Sequence, residues 1–99
     1  MSADAIKHVT ITGRVQGVGY RAWTSDEARS RELRGWVRNR RDGSVEAVFA
    51  GDTKTVDAMI EACRIGPSMA RVTTVIAKDA SEAELGLRGA EAFAMLPTL

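Results

Sequence analysis

A glycine-rich run from Gly13 to Arg21, with the sequence Gly-Arg-Val-Gln-Gly-Val-Gly-Tyr-Arg, constrains this chain more than any other feature. Glycine lacks a Cβ atom, so its backbone amide can approach a ligand closely. Where such a run joins a strand to a helix, the amides converge beside the helix N-terminus, whose partial positive charge favours a phosphate. The closing arginine adds a cation that binds two phosphate oxygens at once. The predicted phosphate-binding loop comprises Val15, Gln16, Gly17, Val18, Gly19, Tyr20 and Arg21.

Two common phosphate-binding loops do not match this run. A Walker loop continues into Gly-Lys-Ser or Gly-Lys-Thr, and a dinucleotide-binding fingerprint needs a third glycine at a fixed spacing. Neither pattern occurs here. The run therefore indicates an anion-binding loop of a different class.

Hydrophobic periodicity predicts an alternation of strands and helices. The Asp42-Gly43 pair is a strong signal for a tight turn within a hairpin, and Gly66-Pro67 ends a helix. The predicted elements are a strand through Val9, Ile11 and Val15, a helix over 22–33, hairpin strands over 36–41 and 44–50, a helix over 54–64, and strands over 72–77 and 93–96. The order βαββαβ predicts a ferredoxin-like α+β fold, a two-layer α/β sandwich with two helices on one face of an antiparallel sheet.

Length and composition predict one soluble domain spanning residues 1–99, with residues 1–6 as a flexible N-terminal extension. The chain has 99 residues, of which 44% are hydrophobic and 27% are charged, as in an ordinary globular protein. Its start, Met-Ser-Ala-Asp, lacks the basic residues and apolar run of a signal peptide, and its apolar stretches are too short to span a membrane. A cytoplasmic location and no membrane partner are therefore expected.

The glycine run and two later segments together resemble the signature of the acylphosphatase family. That signature reads roughly Gly-x-Val-Gln-Gly-Val-x-Phe/Tyr-Arg, then Gly-Trp-Val-x-Asn, then Asp-Gly-x-Val. The later segments are Gly-Trp-Val-Arg-Asn at 35–39 and Asp-Gly-Ser-Val at 42–45. Further matches lie at 66–72 and at Phe93, so the resemblance covers about nine-tenths of the chain from Lys7 onward.

The resemblance implies the same ferredoxin-like fold and hydrolysis of acyl phosphates to a carboxylate and inorganic phosphate. It implies that Arg21 and Asn39 are the catalytic residues, Arg21 by holding the phosphoryl group and Asn39 by positioning a water. Each has a structural alternative: Arg21 as a surface arginine at a helix start, and Asn39 as a capping or turn residue before Asp42-Gly43. Tyr20 is expected to act through its ring rather than its hydroxyl, and Gln16 through its backbone more than its side chain.

The chemistry of an acyl phosphate suits this residue inventory. Its leaving group is a carboxylate whose conjugate acid has a pKa of roughly 4, so it departs at neutral pH without a proton donor. One His and one Cys cannot form a zinc shell, and no aspartate cluster suggests magnesium. No metal or cofactor is therefore expected. Cys63 is interpreted as a core residue, Trp23 and Trp36 as packing residues, and His8 as a solvated strand residue.

Charge distribution leaves two interpretations open. Residues 29–41 contain six arginines and one acidic residue, although the whole chain carries a net charge of only +1. The segment is either a solvated face or a positive field that steers a small dianion to the loop. Five aromatic residues and no sheet motif for base stacking argue against a nucleic-acid partner, and nothing suggests more than a monomer.

Two other functions remain alternatives. The same fold could serve as a noncatalytic or regulatory anion-binding domain. It could also resemble the acylphosphatase-like domain that begins hydrogenase-maturation proteins and handles carbamoyl phosphate, although those proteins continue into cysteine-rich zinc modules.

The end of the first predicted helix departs from the family pattern. Arg31 and Glu32 stand where Leu-Gly is usual. Arg31 is expected to share the buried helix face with Thr24 and Ala28, packing its stem while its charged end reaches solvent. Replacing the glycine removes the residue best suited to a left-handed helix end.

Overall fold

A computed structural model describes residues 4–99 and contains one five-stranded sheet, ordered β4-β1-β3-β2-β5. Three helices and a 3₁₀ turn connect the strands. In chain order the elements are β1 Asp4–Arg14, α1 Tyr20–Ser30, β2 Arg34–Asn39, β3 Val45–Asp52, α2 Thr53–Cys63, β4 Arg71–Asp79, α3 Glu82–Leu85, the 3₁₀ turn Gly86–Arg88 and β5 Phe93–Met95. The predicted βαββαβ order is confirmed, with α3 as an addition.

The sheet is mixed, so the prediction of a wholly antiparallel sheet is wrong. β5 pairs with β2 in parallel, while the other pairs are antiparallel. The cause is that β4 finishes at the same end of the sheet where β2 begins. The chain crosses the second face at this end through α3, so β5 starts beside the start of β2 and runs in the same direction.

The prediction of a flexible segment over residues 1–6 is wrong for residues 4–6. These residues begin β1 and pair with the end of β3, where Asp4 faces Asp52 and Ile6 faces Ala50. Pairing satisfies backbone groups that a flexible segment would leave to water. Residues 1–3 lie outside the described part of the chain.

The main core lies between the sheet and helices α1 and α2. Val9 of β1 and Val37 of β2 both face Ala47 of β3, so the three side chains share the helix-covered side of the sheet. All three are fully buried, as are Val56 and Met59 of α2. Alternation along each strand therefore sends one set of side chains into this core, as the periodicity predicts.

The second face is covered in part by α3, which the sequence analysis did not predict. Trp36 is buried there, and its indole N–H donates to the carbonyl oxygen of Glu84 at 2.7 Å. Leu85 packs into the same small cluster. This confirms Trp36 as a packing residue, while Trp23 packs at the edge of the main core against Tyr20.

A polar cluster also lies on this second face, and it corrects the interpretation of His8. The His8 side chain is only 14% exposed, and its Nε2 lies 2.6 Å from Oε2 of Glu46. Arg38 donates to Oε1 of the same carboxylate at 2.7 Å. Burial alone would raise the pKa of Glu46, but the hydrogen bonds from His8 and Arg38 outweigh burial and hold the pKa below its usual range. His8 is therefore part of a partly buried hydrogen-bonded cluster with Glu46 and not a solvated residue.

Helix α1 ends earlier than predicted because the backbone turns at Glu32. Glu32 has a φ of 59°, and the next amide, that of Leu33, donates back to the carbonyl oxygen of Ala28 at 2.9 Å. A glutamate thus occupies the left-handed position that glycine favours. Thr24 and Ala28 are buried as predicted, whereas Arg31 lies at the rim with its side chain 30% exposed and paired with Glu27 at 2.7 Å.

Candidate active site

The segment between β1 and α1 forms a turn whose shape depends on glycine. Gly17 and Gly19 have φ values of 72° and 79°, in the left-handed region that other residues rarely adopt. Gly19 caps the start of α1 without a side chain, and the first turn of α1 carries no acidic residue. The first amides of a helix lack partners within the helix, so this end of α1 keeps donors available for an anion.

Side chains on either side of these glycines anchor the loop to the rest of the protein. Val15 is buried in the main core and Val18 packs against it. Nε2 of Gln16 donates to the carbonyl oxygens of Arg40 and Ser44 at 2.7 and 2.8 Å, on the connection between β2 and β3. The Gln16 side chain therefore fixes the loop to the hairpin. The sequence analysis expected its backbone to matter more and did not predict this role.

Tyr20 anchors the first turn of α1 to the end of α2. Its buried hydroxyl donates to the carbonyl oxygen of Cys63 at 2.6 Å, so the expectation that its ring alone matters is wrong. Burial raises the pKa of Tyr20, which keeps the hydroxyl protonated as a donor. Burial also raises the pKa of Cys63 to about 11, so the thiol stays neutral and Cys63 is the core residue that was expected.

Arg21 extends from the first turn of α1 and has no side-chain partner among the described residues. It is exposed, and within residues 4–99 its guanidinium has neither a hydrogen bond nor an ion pair. Its donors are therefore available to a phosphate, and it lies beside the first amides of α1, which have no acceptor within the helix.

Most arginines of the basic segment at 29–41 lie close to a carboxylate. Five of the six between residues 29 and 41 have a carboxylate within ion-pair distance: Arg29, Arg31, Arg34, Arg38 and Arg40. This favours the interpretation of an ordinary charged surface over that of a field that steers dianions. Arg21 thus differs from these five in its free donors.

Asn39 ends β2 on the same side of the sheet as Val37. Its backbone carbonyl accepts from the amide of Leu99 at 3.1 Å, and its side-chain Oδ1 is buried with no hydrogen-bond partner among the described residues. The turn that follows uses Asp42 instead, whose carboxylate accepts from the amide and hydroxyl of Ser44. A buried acceptor without a partner costs about 1–3 kcal/mol, so the geometry points to a ligand or water at Oδ1.

These residues line one pocket with a volume of about 230 Å³. Six of the seven predicted loop residues contribute to it, whereas Val18 turns toward the core. The lining residues are Val15, Gln16, Gly17, Gly19, Tyr20, Arg21, Ala22, Asn39 and Met95. Sequence reasoning did not include Ala22 or Met95, because neither belongs to a motif and Met95 reaches the pocket only through the pairing of β5 with β2.

Among residues 4–99, no three His, Cys, Asp or Glu side chains are grouped so that they could hold a metal ion. No helix in the described part of the chain is long and apolar enough to cross a membrane.

The chain matches the family model for acylphosphatase over residues 7–89. It belongs to the acylphosphatase family. An acylphosphatase from Rhodopseudomonas palustris is 54% identical over 98 residues, which cover 98% of this chain and 99% of the relative. An acylphosphatase from Bradyrhizobium diazoefficiens is 55% identical over 96 residues, which cover 96% of this chain and 97% of the relative.

The fold agrees with that of solved family members. The structure of an acylphosphatase from Coxiella burnetii matches with a TM-score of 0.83 at 29% identity, covering 94% of this chain and 93% of that one. The predicted ferredoxin-like α+β fold is therefore confirmed, with the mixed sheet and the third helix as corrections.

Proposed function

We propose that this acylphosphatase family member hydrolyses acyl phosphates to a carboxylate and inorganic phosphate. One observation carries the proposal: the guanidinium of Arg21 and the buried Oδ1 of Asn39, neither of which has a hydrogen-bond partner among residues 4–99, line the same pocket. The pocket thus combines donors for a phosphoryl group with an acceptor for a water. Family membership supports the same reaction.

The phosphoryl group binds to the loop and to Arg21. The loop amides and the N-terminus of α1 donate to its oxygens, and the guanidinium of Arg21 donates two further hydrogen bonds. Since these donors are positioned by folding, they need no reorganisation as charge develops on the oxygens. This part of the site binds substrate and product phosphate alike.

Asn39 orients the attacking water. Its Oδ1 accepts a hydrogen bond from the water, whose oxygen attacks phosphorus in line with the leaving oxygen. The new bond joins this oxygen to phosphorus, and the bond between phosphorus and the acyl oxygen breaks. Because the transition state is loose, the water needs orientation more than a strong base, and its proton passes to phosphate oxygens or solvent as the product forms.

The leaving group needs no proton donor. A carboxylate with a conjugate-acid pKa of roughly 4 departs as an anion at neutral pH. No Asp, Glu or His lines the pocket in the described part of the chain, so its side chains suit an acyl phosphate better than an alkyl monoester. The comparisons do not favour a noncatalytic anion-binding domain.

We also propose that the protein acts in the cytoplasm as a monomer, without a cofactor and without nucleic acid as a partner. The low net charge of +1 and the local pairing of five arginines support the absence of a polyanionic partner. Its partners are then the acyl phosphate substrate and the phosphate product.

Phosphate release from acetyl phosphate tests the activity. The purified chain, assayed in EDTA, is expected to release phosphate, and Arg21→Ala is expected to abolish release and weaken inhibition by inorganic phosphate. Arg21→Lys should rescue poorly, because an ammonium cannot form the two parallel hydrogen bonds of a guanidinium. A folded chain that binds phosphate but releases none from acetyl phosphate would establish the noncatalytic alternative.

A further inference from the structure

One exposed hydrophobic side chain borders the pocket. The large hydrophobic residues that are exposed among residues 4–99 are Ile65, Met69, Ile76, Leu87, Met95 and Leu99. Of these, Met95 lines the pocket. It is 56% exposed and belongs to neither hydrophobic cluster, so packing within the described part of the chain does not explain a large apolar residue there.

The strand pairing explains how Met95 reaches the pocket. Met95 ends β5 and faces Val37 of β2, two residues before Asn39. Cross-strand partners share a face of the sheet, so Met95 lies on the same side as Asn39. It borders the pocket together with Arg21 and Ala22 from the first turn of α1.

The acyl group of the substrate is expected to leave the pocket next to Met95. This step rests on the proposed function. In an in-line attack, the leaving group lies opposite the water. The leaving acyl group therefore points away from the buried Oδ1 of Asn39 and must leave the pocket toward solvent. Among the large hydrophobic side chains that are exposed within residues 4–99, Met95 is the one that lines the pocket, so it is available to the acyl group there.

We propose that Met95 contacts the acyl chain and makes the protein favour acyl phosphates with an uncharged hydrocarbon chain longer than acetyl. A methionine suits this role, because its unbranched, polarisable side chain adapts to different apolar surfaces. Acetyl phosphate has too short a chain to use the contact. Met95 is thus a residue that determines specificity, separate from Arg21 and Asn39 in the proposed chemistry.

The test compares hexanoyl phosphate with acetyl phosphate. The measured quantity is the ratio of their kcat/KM values in the wild type, in Met95→Ala and in Met95→Gln, which keeps the length of the side chain but makes its end polar. Each variant is expected to lower the ratio roughly threefold to tenfold, because one or two methylene contacts are lost from the transition state. Using two variants keeps the test decisive if one of them does not fold.

Met69→Ala is the matched control, since Met69 is 61% exposed but does not line the pocket. Its ratio should equal that of the wild type. If the wild type hydrolyses acetyl phosphate but the ratio is the same in both Met95 variants, the inference about Met95 is wrong while the proposed function stands. If the wild type hydrolyses neither substrate, the proposed function fails first.

Discussion

Nε2 of Gln16 donates to the carbonyl oxygen of Arg40 at 2.7 Å, one residue beyond Asn39. A second hydrogen bond, to the carbonyl of Ser44, holds the other side of the same turn. The loop proposed to bind phosphate and the strand proposed to position the water are therefore fixed to each other by one amide group. Catalysis by positioning depends on such a fixed relation.

Replacing Gln16 should loosen this relation. Gln16→Ala removes two hydrogen bonds, each worth about 0.5–1.5 kcal/mol, while both carbonyl oxygens keep a backbone donor, the amide of Gly43 or of Arg40. We expect a lower free energy of unfolding together with weaker phosphate inhibition and slower turnover. Gln16→Glu is the control for side-chain volume. Its carboxylate keeps the size of the side chain but cannot donate these hydrogen bonds, so its stability and turnover should be no higher than those of Gln16→Ala. Unchanged phosphate inhibition and turnover in a Gln16→Ala protein would show that the loop holds its shape without this tie.

A glycine at position 32 should stabilise the protein. Glu32 adopts a φ of 59°, a conformation that costs a residue with a side chain about 1–2 kcal/mol. Glycine avoids this cost, but it also makes the unfolded chain more flexible, which offsets part of the stabilisation. The net gain for Glu32→Gly is about 0.5–1 kcal/mol, or roughly 2–8 °C in Tm. Glu32→Ala, which removes the charge but keeps the strain, is the matched control. A thermal melt in which both variants behave alike would assign the effect to charge.

The structure reduces the gain expected from an apolar residue at position 31. Arg31 is only partly enclosed and pairs with Glu27, so Arg31→Leu cannot bury a full leucine side chain. We expect the Tm of Arg31→Leu in a thermal melt to differ from that of the wild type by less than the Tm of Glu32→Gly does. A larger rise for Arg31→Leu would mean that the helix rim is apolar enough to enclose the new side chain.

The Glu46 cluster should make the protein less stable in acid. The pKa of Glu46 is lower in the folded protein than its ordinary value of 4.5, so below that value the unfolded chain binds the proton more readily. The stability that the ionised carboxylate contributes is complete above pH 4.5 and is lost as the pH falls through the lower, folded pKa. The free energy of unfolding, measured with denaturant, should fall less steeply over that acid range in Glu46→Gln than in the wild type. An identical acid slope in the two proteins would mean that other carboxylates cause the loss.

The features predicted from sequence are those that short segments specify alone. The predicted phosphate-binding loop, for example, is specified by two glycines and one arginine that lie within five residues of one another, Gly17 to Arg21. The helix α1 follows it directly. Periodicity and turn signals likewise predicted the order of the strands and of the two long helices, and hence the ferredoxin-like fold. The four-residue helix Glu82–Leu85 is too short to show a helical period, so the cover over Trp36 was missed.

The features that were missed depend on partners far away in the chain. His8 was interpreted as a solvated strand residue, because its burial depends on Glu46, 38 residues later and on another strand. The hydroxyl of Tyr20 meets a carbonyl 43 residues away. Alternation predicts which face a side chain occupies, not what covers that face. Met95 reached the pocket through strand pairing alone, which no local pattern indicates.

Asn39→Ala tests the central claim most directly, because the account separates binding of the phosphoryl group from positioning of the water. The measurement is kcat for acetyl phosphate together with the inhibition constant of inorganic phosphate, in the wild type and in this variant. We predict that kcat falls about a hundredfold or more, as when a group that acts in the transition state is lost, while phosphate inhibition changes by less than about twofold. If phosphate inhibition instead weakens in proportion to kcat, Asn39 binds the phosphoryl group or supports the fold, and the proposed division between Arg21 and Asn39 is wrong.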